Sequence, residues 1–227
     1  VIGNDETRGR GILAIWHDFV PESGPEILDW YDREHHAERL AIPGFLSVRR
    51  YRAVEAATAL FIRYETLSPA VLESPAYLAR VNAPTPWTLR SQPDFRNNSR
   101  TVCVRHGSAP VVQGGFALTC RLRSSSPLDA STLPGWSEWR ARIEAERFVL
   151  GVEHWVGDPS RSSLPSREKE IRQVRDEHVG GVIVVHASDV APLKALMAAS
   201  DWPHQGGTET TKGIYGLSFE AYSRHMN

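Results

Sequence analysis

The order β-α-β-β-α-β can be read twice along this chain, and that recurrence restricts the fold more than any other feature. Residues 11–19 (Gly-Ile-Leu-Ala-Ile-Trp-His-Asp-Phe) form an apolar run rich in β-formers and too short to prefer helix. A helix follows, with Ser23 as its cap and Pro25 in its first turn, and Pro43-Gly44 ends it. Strands at 45–53 and 57–65 are a hairpin's spacing apart. Ser68-Pro69 opens a second helical stretch, interrupted at Ser74-Pro75; 84–98 reads as irregular, and 101–106 is the fourth strand. The second half gives strand 116–123, helix 134–147 with an apolar stripe of Trp136, Trp139 and Ile143, and strands 149–157 and 182–187. A helix capped by Asp189 and a strand at 214–222 close it.

Each set of six elements is a split βαβ, or ferredoxin-like, motif, so the expected class is α+β with two tandem units, 1–110 and 111–227. Their linker, 107–115, is rich in Gly, Pro and Ser. Phe45-Leu-Ser-Val-Arg-Arg-Tyr51 and Val149-Leu-Gly-Val-Glu-His-Trp155 each follow the first helix of their half and echo one another. The polar stretch 158–173 reads as a mobile hairpin insertion whose charges form a solvated face.

With 26 basic and 27 acidic residues the net charge is −1, which argues against a nucleic-acid partner. No run approaches the roughly 20 apolar residues of a membrane helix or forms a signal segment. A cytoplasmic protein without a membrane partner is therefore expected. Cys103 and Cys120 lack metal spacing and read as small core residues.

On a helical wheel Ile27, Trp30, Tyr31, Ala37, Ala41 and Ile42 share one arc, and Glu34, His35 and Glu38 fall inside it. His36 falls on the opposite, solvated side. Ionisable groups facing a core must pair with one another, with an arginine or with a ligand. His35 is either an acid/base group of near-neutral pKa or a structural donor. His17 alternates with Leu13 and Ile15 on the first strand, and either completes a histidine pair across a pocket or is a core histidine. Glu34 and Glu38, one turn apart, orient His35 or pair with strand arginines. Alternation puts Arg49 and Tyr51 on one side of their strand and Arg50 on the other. Arg49 is a candidate clamp for a substrate carboxylate, Tyr51 and Tyr64 candidate donors to an oxyanion, and Trp87 a candidate pocket wall. Cross-strand charge pairing is the plainer reading of the arginines. His17, His35 and Glu38 show no recognised metal spacing, and no metal ligand is assigned. Phosphate loops, nucleophile elbows and nucleotide fingerprints are absent from the sequence.

The run Trp30-Tyr31-Asp32-Arg33-Glu34-His35 and the step Ile42-Pro43-Gly44-Phe45 into Arg49-Arg50-Tyr51 resemble the EthD-like branch of the dimeric α+β barrel superfamily. That resemblance implies two four-stranded antiparallel sheets, usually from two subunits, closed into a barrel with helices outside. Here it implies a pseudo-dimer within one chain, with further pairing into a homodimer left open. The superfamily includes cofactor-free monooxygenases, muconolactone-type isomerases, polyketide cyclases and haem proteins, so the reaction must come from the site. The expectation is an enzyme acting on a small aromatic or cyclic organic acid by histidine acid/base chemistry without an organic cofactor. Lyase, isomerase and monooxygenase outcomes stay open. The alternatives are a non-catalytic ligand-binding or structural protein, or a haem- or metal-binding member with His106, His154, His178 or His186 as axial ligand. The second half's first helix carries no histidine, so the first half is expected to be active and the second to be its barrel partner.

Overall fold

A computed structural model describes residues 9–107, 109–172, 174–203 and 209–224. The first half supplies β1 (Gly11–Phe19), β2 (Phe45–Glu55), β3 (Leu60–Thr66) and β4 (Phe95–His106). The second supplies β5 (Phe116–Arg123), β6 (Val149–Gly157), β7 (Gly181–Ala187) and β8 (Glu209–Tyr222). All neighbours are antiparallel, and the sheet closes in the order β1-β3-β2-β8-β5-β7-β6-β4. Within that ring the halves have the same arrangement, 4-1-3-2 followed by 8-5-7-6. The two seams are β2 with β8 and the shorter pairing of β4 with β6, where Cys103 to His106 lie opposite Gly157 to His154.

Side-chain alternation divides the core into three. Ile12, Ala14 and Trp16 of β1 point into the barrel, where they meet Tyr51, Phe61, Trp155 and Tyr215. Leu13 and Ile15 point the other way and pack under the first-half helices with Ile27, Trp30, Tyr31, Tyr64 and Phe95. On the second half's outer face Trp136, Trp139, Ile143, Leu193, Leu196 and Trp202 fill the space between sheet and helices.

The first-half helical layer begins with α1 (Gly24–Trp30) and α2 (His36–Leu40), joined without a break by a π-helical turn, Tyr31–His35. Gly44 turns the chain from α2 into β2 at φ +92°, a conformation that favours glycine, where a Cβ would press on Val71. Next come α3 (Pro75–Asn82) and α4 (Pro86–Ser91), capped by the side chains of Ser74 and Thr85. The second half contributes α5 (Trp136–Glu144), α6 (Pro159–Ser162), α7 (Arg167–Ile171) and α8 (Ala191–Ala198).

Three expectations are corrected. The segment 84–98 is not irregular: it holds α4 and the start of β4, whose Phe95 and Arg96 pair with Phe19 and Asp18. Its polar side chains hid the strand because they bond laterally, Asn97 to Asp18 and Asn98 to Asp176. The polar stretch 158–173 is not a solvated hairpin: it forms α6 and α7, which dock on β4 and α3 of the first half. His36 is not solvated either, being fully buried. A turn closed by i→i+5 bonding, here His36 N–H to the Tyr31 carbonyl, holds one residue more than an α-turn. That extra residue turns the following helix by about 100°, bringing His36 inward beside His35.

Candidate functional site

Beneath the π-helical turn lies a hollow of about 30 Å³, close to the share of liquid volume of one water. Its apolar wall is Leu13, Ile15, Trp30 and Phe95; its polar wall is dominated by Arg39, Arg100, Arg172, Glu168, His35 and three tyrosines, Tyr31, Tyr64 and Tyr77. These polar groups are all buried, Arg39 at 2%, Arg172 at 6% and Arg100 at 8% exposure. Each guanidinium is held by a different element. Arg39 Nη2 on α2 donates to both carboxylate oxygens of Glu168 on α7, at 2.5 Å. Arg172, just after α7, donates to Asp176 at 3.1 and 3.2 Å and, longer, to Gln92 at 3.4 Å. Among the described residues the Arg100 side chain, on β4, reaches only the Tyr77 hydroxyl, at 2.8 Å.

Charge is therefore unbalanced. Three guanidiniums line the hollow with one carboxylate, Glu168; Asp176, behind Arg172 and 3.9 Å from Lys169 Nζ, supplies a second, and among the described residues Arg100 has no acid partner. Burial, and then the nearby charge of Arg100, push the Lys169 amine down to about 8. Two guanidinium donors along the wall, Arg39 Nη1 and Arg172 Nε, and the ring nitrogen His35 Nδ1 are buried without a hydrogen-bond partner among the described residues. Unpaired buried donors carry a desolvation cost that an anionic ligand would remove.

His35 lies against the Trp30 indole, with ring centroids 4.3 Å apart. Burial, followed by the charges of Arg39, His36, Arg172 and Arg80, holds its imidazole well below the usual histidine range. It is neutral at pH 7 and so a proton acceptor. Glu34 and Glu38 do not touch it. Glu34 accepts from Trp30 Nε1 and Thr85 Oγ1, tying the π-helical turn to the cap of α4. Glu38 pairs with Arg80 at 3.4 Å, and burial, partly offset by Arg80, raises its carboxyl.

His17 is fully buried behind Tyr31 and does not line the hollow. Its Nδ1–H donates to the Asp18 carbonyl at 2.9 Å, leaving Nε2 to accept from the Tyr31 hydroxyl, also at 2.9 Å. The ring stacks on Phe95 at 4.2 Å, and burial pushes its pKa down to about 4. Tyr64 lines the hollow and bonds His36 Nδ1 at 2.7 Å.

The other candidates lie elsewhere. Tyr51 is inside the barrel, stacked on Phe61, and Arg49 pairs with Glu220 at the barrel mouth, so neither reaches the hollow. Arg50 faces the helices, 2.7 Å from Asp32 and over the rings of Tyr31 and Phe219. Trp87 is half-buried on α4 and donates to Glu26 at 2.7 Å. His17, His35 and Glu38 do not converge as a metal-binding group among the described residues. The second half is more than a barrel partner, because its Glu168 and Arg172 close the site.

The missed residues left two signals. Arg39 stands one helical turn after His35, and Glu168 and Arg172 are also four residues apart, so each pair shares a face if helical. Nothing in the sequence marks Arg100 apart from the other arginines of its segment.

No family model matches the sequence, and no curated protein matches it. Solved structures do match over nearly the whole chain. An anthrone oxidase-like protein superposes with TM-score 0.57 at 10% identity, covering 96% of this chain and 94% of that one. A protein assigned as a chlorite dismutase gives 0.54 at 10% identity, covering 92% and 94%. One assigned as a monooxygenase, from Lactobacillus acidophilus, gives 0.53 at 7% identity, covering 94% and 97%. What is shared with these proteins is the fold, an antiparallel eight-stranded barrel with helices outside, here closed by a single chain.

Among such folds the expectation of chemistry without a cofactor is corrected. The matches include the protein assigned as a chlorite dismutase, and a heme-binding protein from Thermus thermophilus superposes more weakly, with TM-score 0.48 at 11% identity. Haem does not fit the described residues as they are packed. The hollow under His35 is of water size, and the corresponding space in the second half is filled by Trp136, Trp139 and Trp202. No helix among the described residues is long and apolar enough to cross a membrane.

Proposed function

We propose that the chain is a small-molecule enzyme of the EthD-like branch that takes a small organic acid, aromatic or cyclic, beneath the π-helical turn. Its parts are two ferredoxin-like units, 1–110 and 111–227, related by tandem duplication. The first carries the proton-transfer group and the second the α7 cover. The observation that carries this reading is Arg100, a buried guanidinium without a carboxylate partner among the described residues, beside two more whose donors are incompletely used. A ligand carboxylate or phenolate would supply the missing negative charge, and a planar guanidinium suits it.

The free hollow is too small for a ring, so entry shifts α7 and seats the substrate carboxylate on Arg100 and on the unused Nη1 of Arg39, adding a negative charge to the site. An anion so placed opposes the repulsion that keeps His35 neutral, and raises its basicity once substrate is bound. His35, through Nδ1, then takes a proton from the substrate, and the arginines and the Tyr64 hydroxyl stabilise the oxyanion that develops. The outcomes that share this step, oxygenation among them, diverge after it. The anthrone oxidase-like and monooxygenase matches support the oxygenase arm only through the fold.

Calorimetric titration with benzoate and salicylate, against benzyl alcohol, tests the reading. The acids should bind and the alcohol should not. Arg100→Gln should weaken the acids about 10- to 100-fold, the range for a charged hydrogen bond. His35→Gln should keep binding and lose turnover of any acid found to react. Equal binding of acid and alcohol, or unchanged binding by Arg100→Gln, would overturn it.

A further inference from the structure

A second group of polar side chains lies where the two halves meet, about 20 Å along β4 from Arg100 at 3.3 Å per residue. His106 and His154 face each other directly across the β4–β6 seam, with ring centroids 5.8 Å apart. Asp129, which caps the short 3-10 turn Ala130–Thr132, reaches between them. Its Oδ2 is 2.9 Å from His106 Nδ1 and its Oδ1 is 3.2 Å from His154 Nε2. One donor atom from each residue falls within 4.8 Å of the other two.

We propose that His106, Asp129 and His154 bind a first-row divalent transition metal of the zinc type. Two imidazoles and one carboxylate are a mixed N/O donor set, which favours such ions over magnesium or calcium. The separations from Asp129 are close to those between neighbouring ligands around one tetrahedral ion, given metal–ligand bonds of about 2.0–2.1 Å. Among the described residues neither ring nitrogen of buried His154 makes an aligned hydrogen bond, although the Asp129 carboxylate is near enough, so the contact is not a settled histidine–aspartate bond. A metal at the shared point would use the Nε2 lone pair.

The surroundings suit a held ligand set. Asp129 Oδ1 also accepts from the Ser131 amide at 2.9 Å and its hydroxyl at 2.7 Å, which fixes the carboxylate. The Trp136 ring stands edge-on to His154 at 5.0 Å and backs it with hydrocarbon. His106 is 43% exposed, which opens the site to the ion and leaves a fourth position for water. The bound ion would pin the turn before α5 across the seam between halves, independently of the chemistry proposed at His35.

Cobalt(II) titration of the chelator-treated full chain tests this, read by visible ligand-field absorption, with zinc as competitor and the melting temperature as second readout. One equivalent should bind, be displaced by zinc and raise the melting temperature. Asp129→Asn, which keeps an acceptor for Ser131, and His106→Ala should each weaken binding at least about 100-fold, since groups that merely orient a ligand are worth ~10- to 100-fold. His35→Gln should leave the titration unchanged. Absence of saturable binding, or binding that survives both Asp129→Asn and exposed His106→Ala, overturns the site and leaves a histidine–carboxylate clasp.

Discussion

At the scale of single residues, the first-half helical layer is built around histidines that must stay neutral. His17, His35 and His36 are all buried, and burial is the leading cause that lowers each. For His17 the folded value is about 4 against an ordinary 6.5. The folded state then binds fewer protons than the unfolded one between those values, so stability is complete above about pH 6.5 and is lost as pH falls towards 4. The loss attributable to His17 is about 3 kcal/mol. Urea unfolding between pH 7 and 4 should show this decline, and His17→Gln should flatten it; an unchanged slope in the variant would refute the assignment. The same neutrality makes His17 a scaffold for Tyr31, with both ring nitrogens bonded, whereas the unpartnered Nδ1 of His35 remains available for chemistry.

At the scale of elements, α7 decides whether the site is open. It has only five residues and cannot be a stable helix alone, so its position depends on what its side chains meet. Glu168 is the main tether, fully paired with Arg39 on the opposite side of the hollow. Glu168→Gln leaves a buried guanidinium without its counter-charge, which costs about 3 kcal/mol or more. Amide exchange over 159–171 should quicken about 100-fold, and Arg39→Met in the same protein should recover much of it; no acceleration would show that α7 is held by other contacts. This element also explains why the site was only partly legible in the sequence. Apolar alternation exposed β1, β3 and β5, and the wheel put His35 inward, because those patterns reflect burial of hydrocarbon. Charge buried by pairing across the molecule leaves no such pattern. Glu168 and Arg172 therefore looked like solvent-facing residues, and Arg100 sat in a strand start whose polar side chains bond sideways. His36 was misplaced for a third reason, the π-helical turn, which no 3.6-residue period anticipates.

At the scale of the whole molecule, the barrel is joined by its seams and by a buried ionic network inside it. Arg63 on β3 bonds Glu65 at 2.6 Å and Glu153 on β6 at 3.0 Å; Arg105 on β4 bonds Glu153 at 2.7 Å and Glu65 at 2.9 Å. His186 on β7 meets the same Glu153 at 2.7 Å, and Glu153 is fully buried. Burial alone would raise its carboxyl, but Arg105 and Arg63 hold it well below the usual carboxylate range. Two arginines of the first half thus depend on one acid of the second. Replacing that acid with the isosteric amide removes one charge while leaving both guanidiniums desolvated, so Glu153→Gln should cost about 3–5 kcal/mol. Because the lost pairs cross between halves, the cost should appear as one transition shifted to lower denaturant. Circular dichroism and tryptophan emission should shift together, with indoles such as Trp30 in one half and Trp136 in the other. Two separated transitions in the variant would mean that each sheet is stable without its partner. The ion pairs would then be a consequence of barrel closure rather than a cause of it.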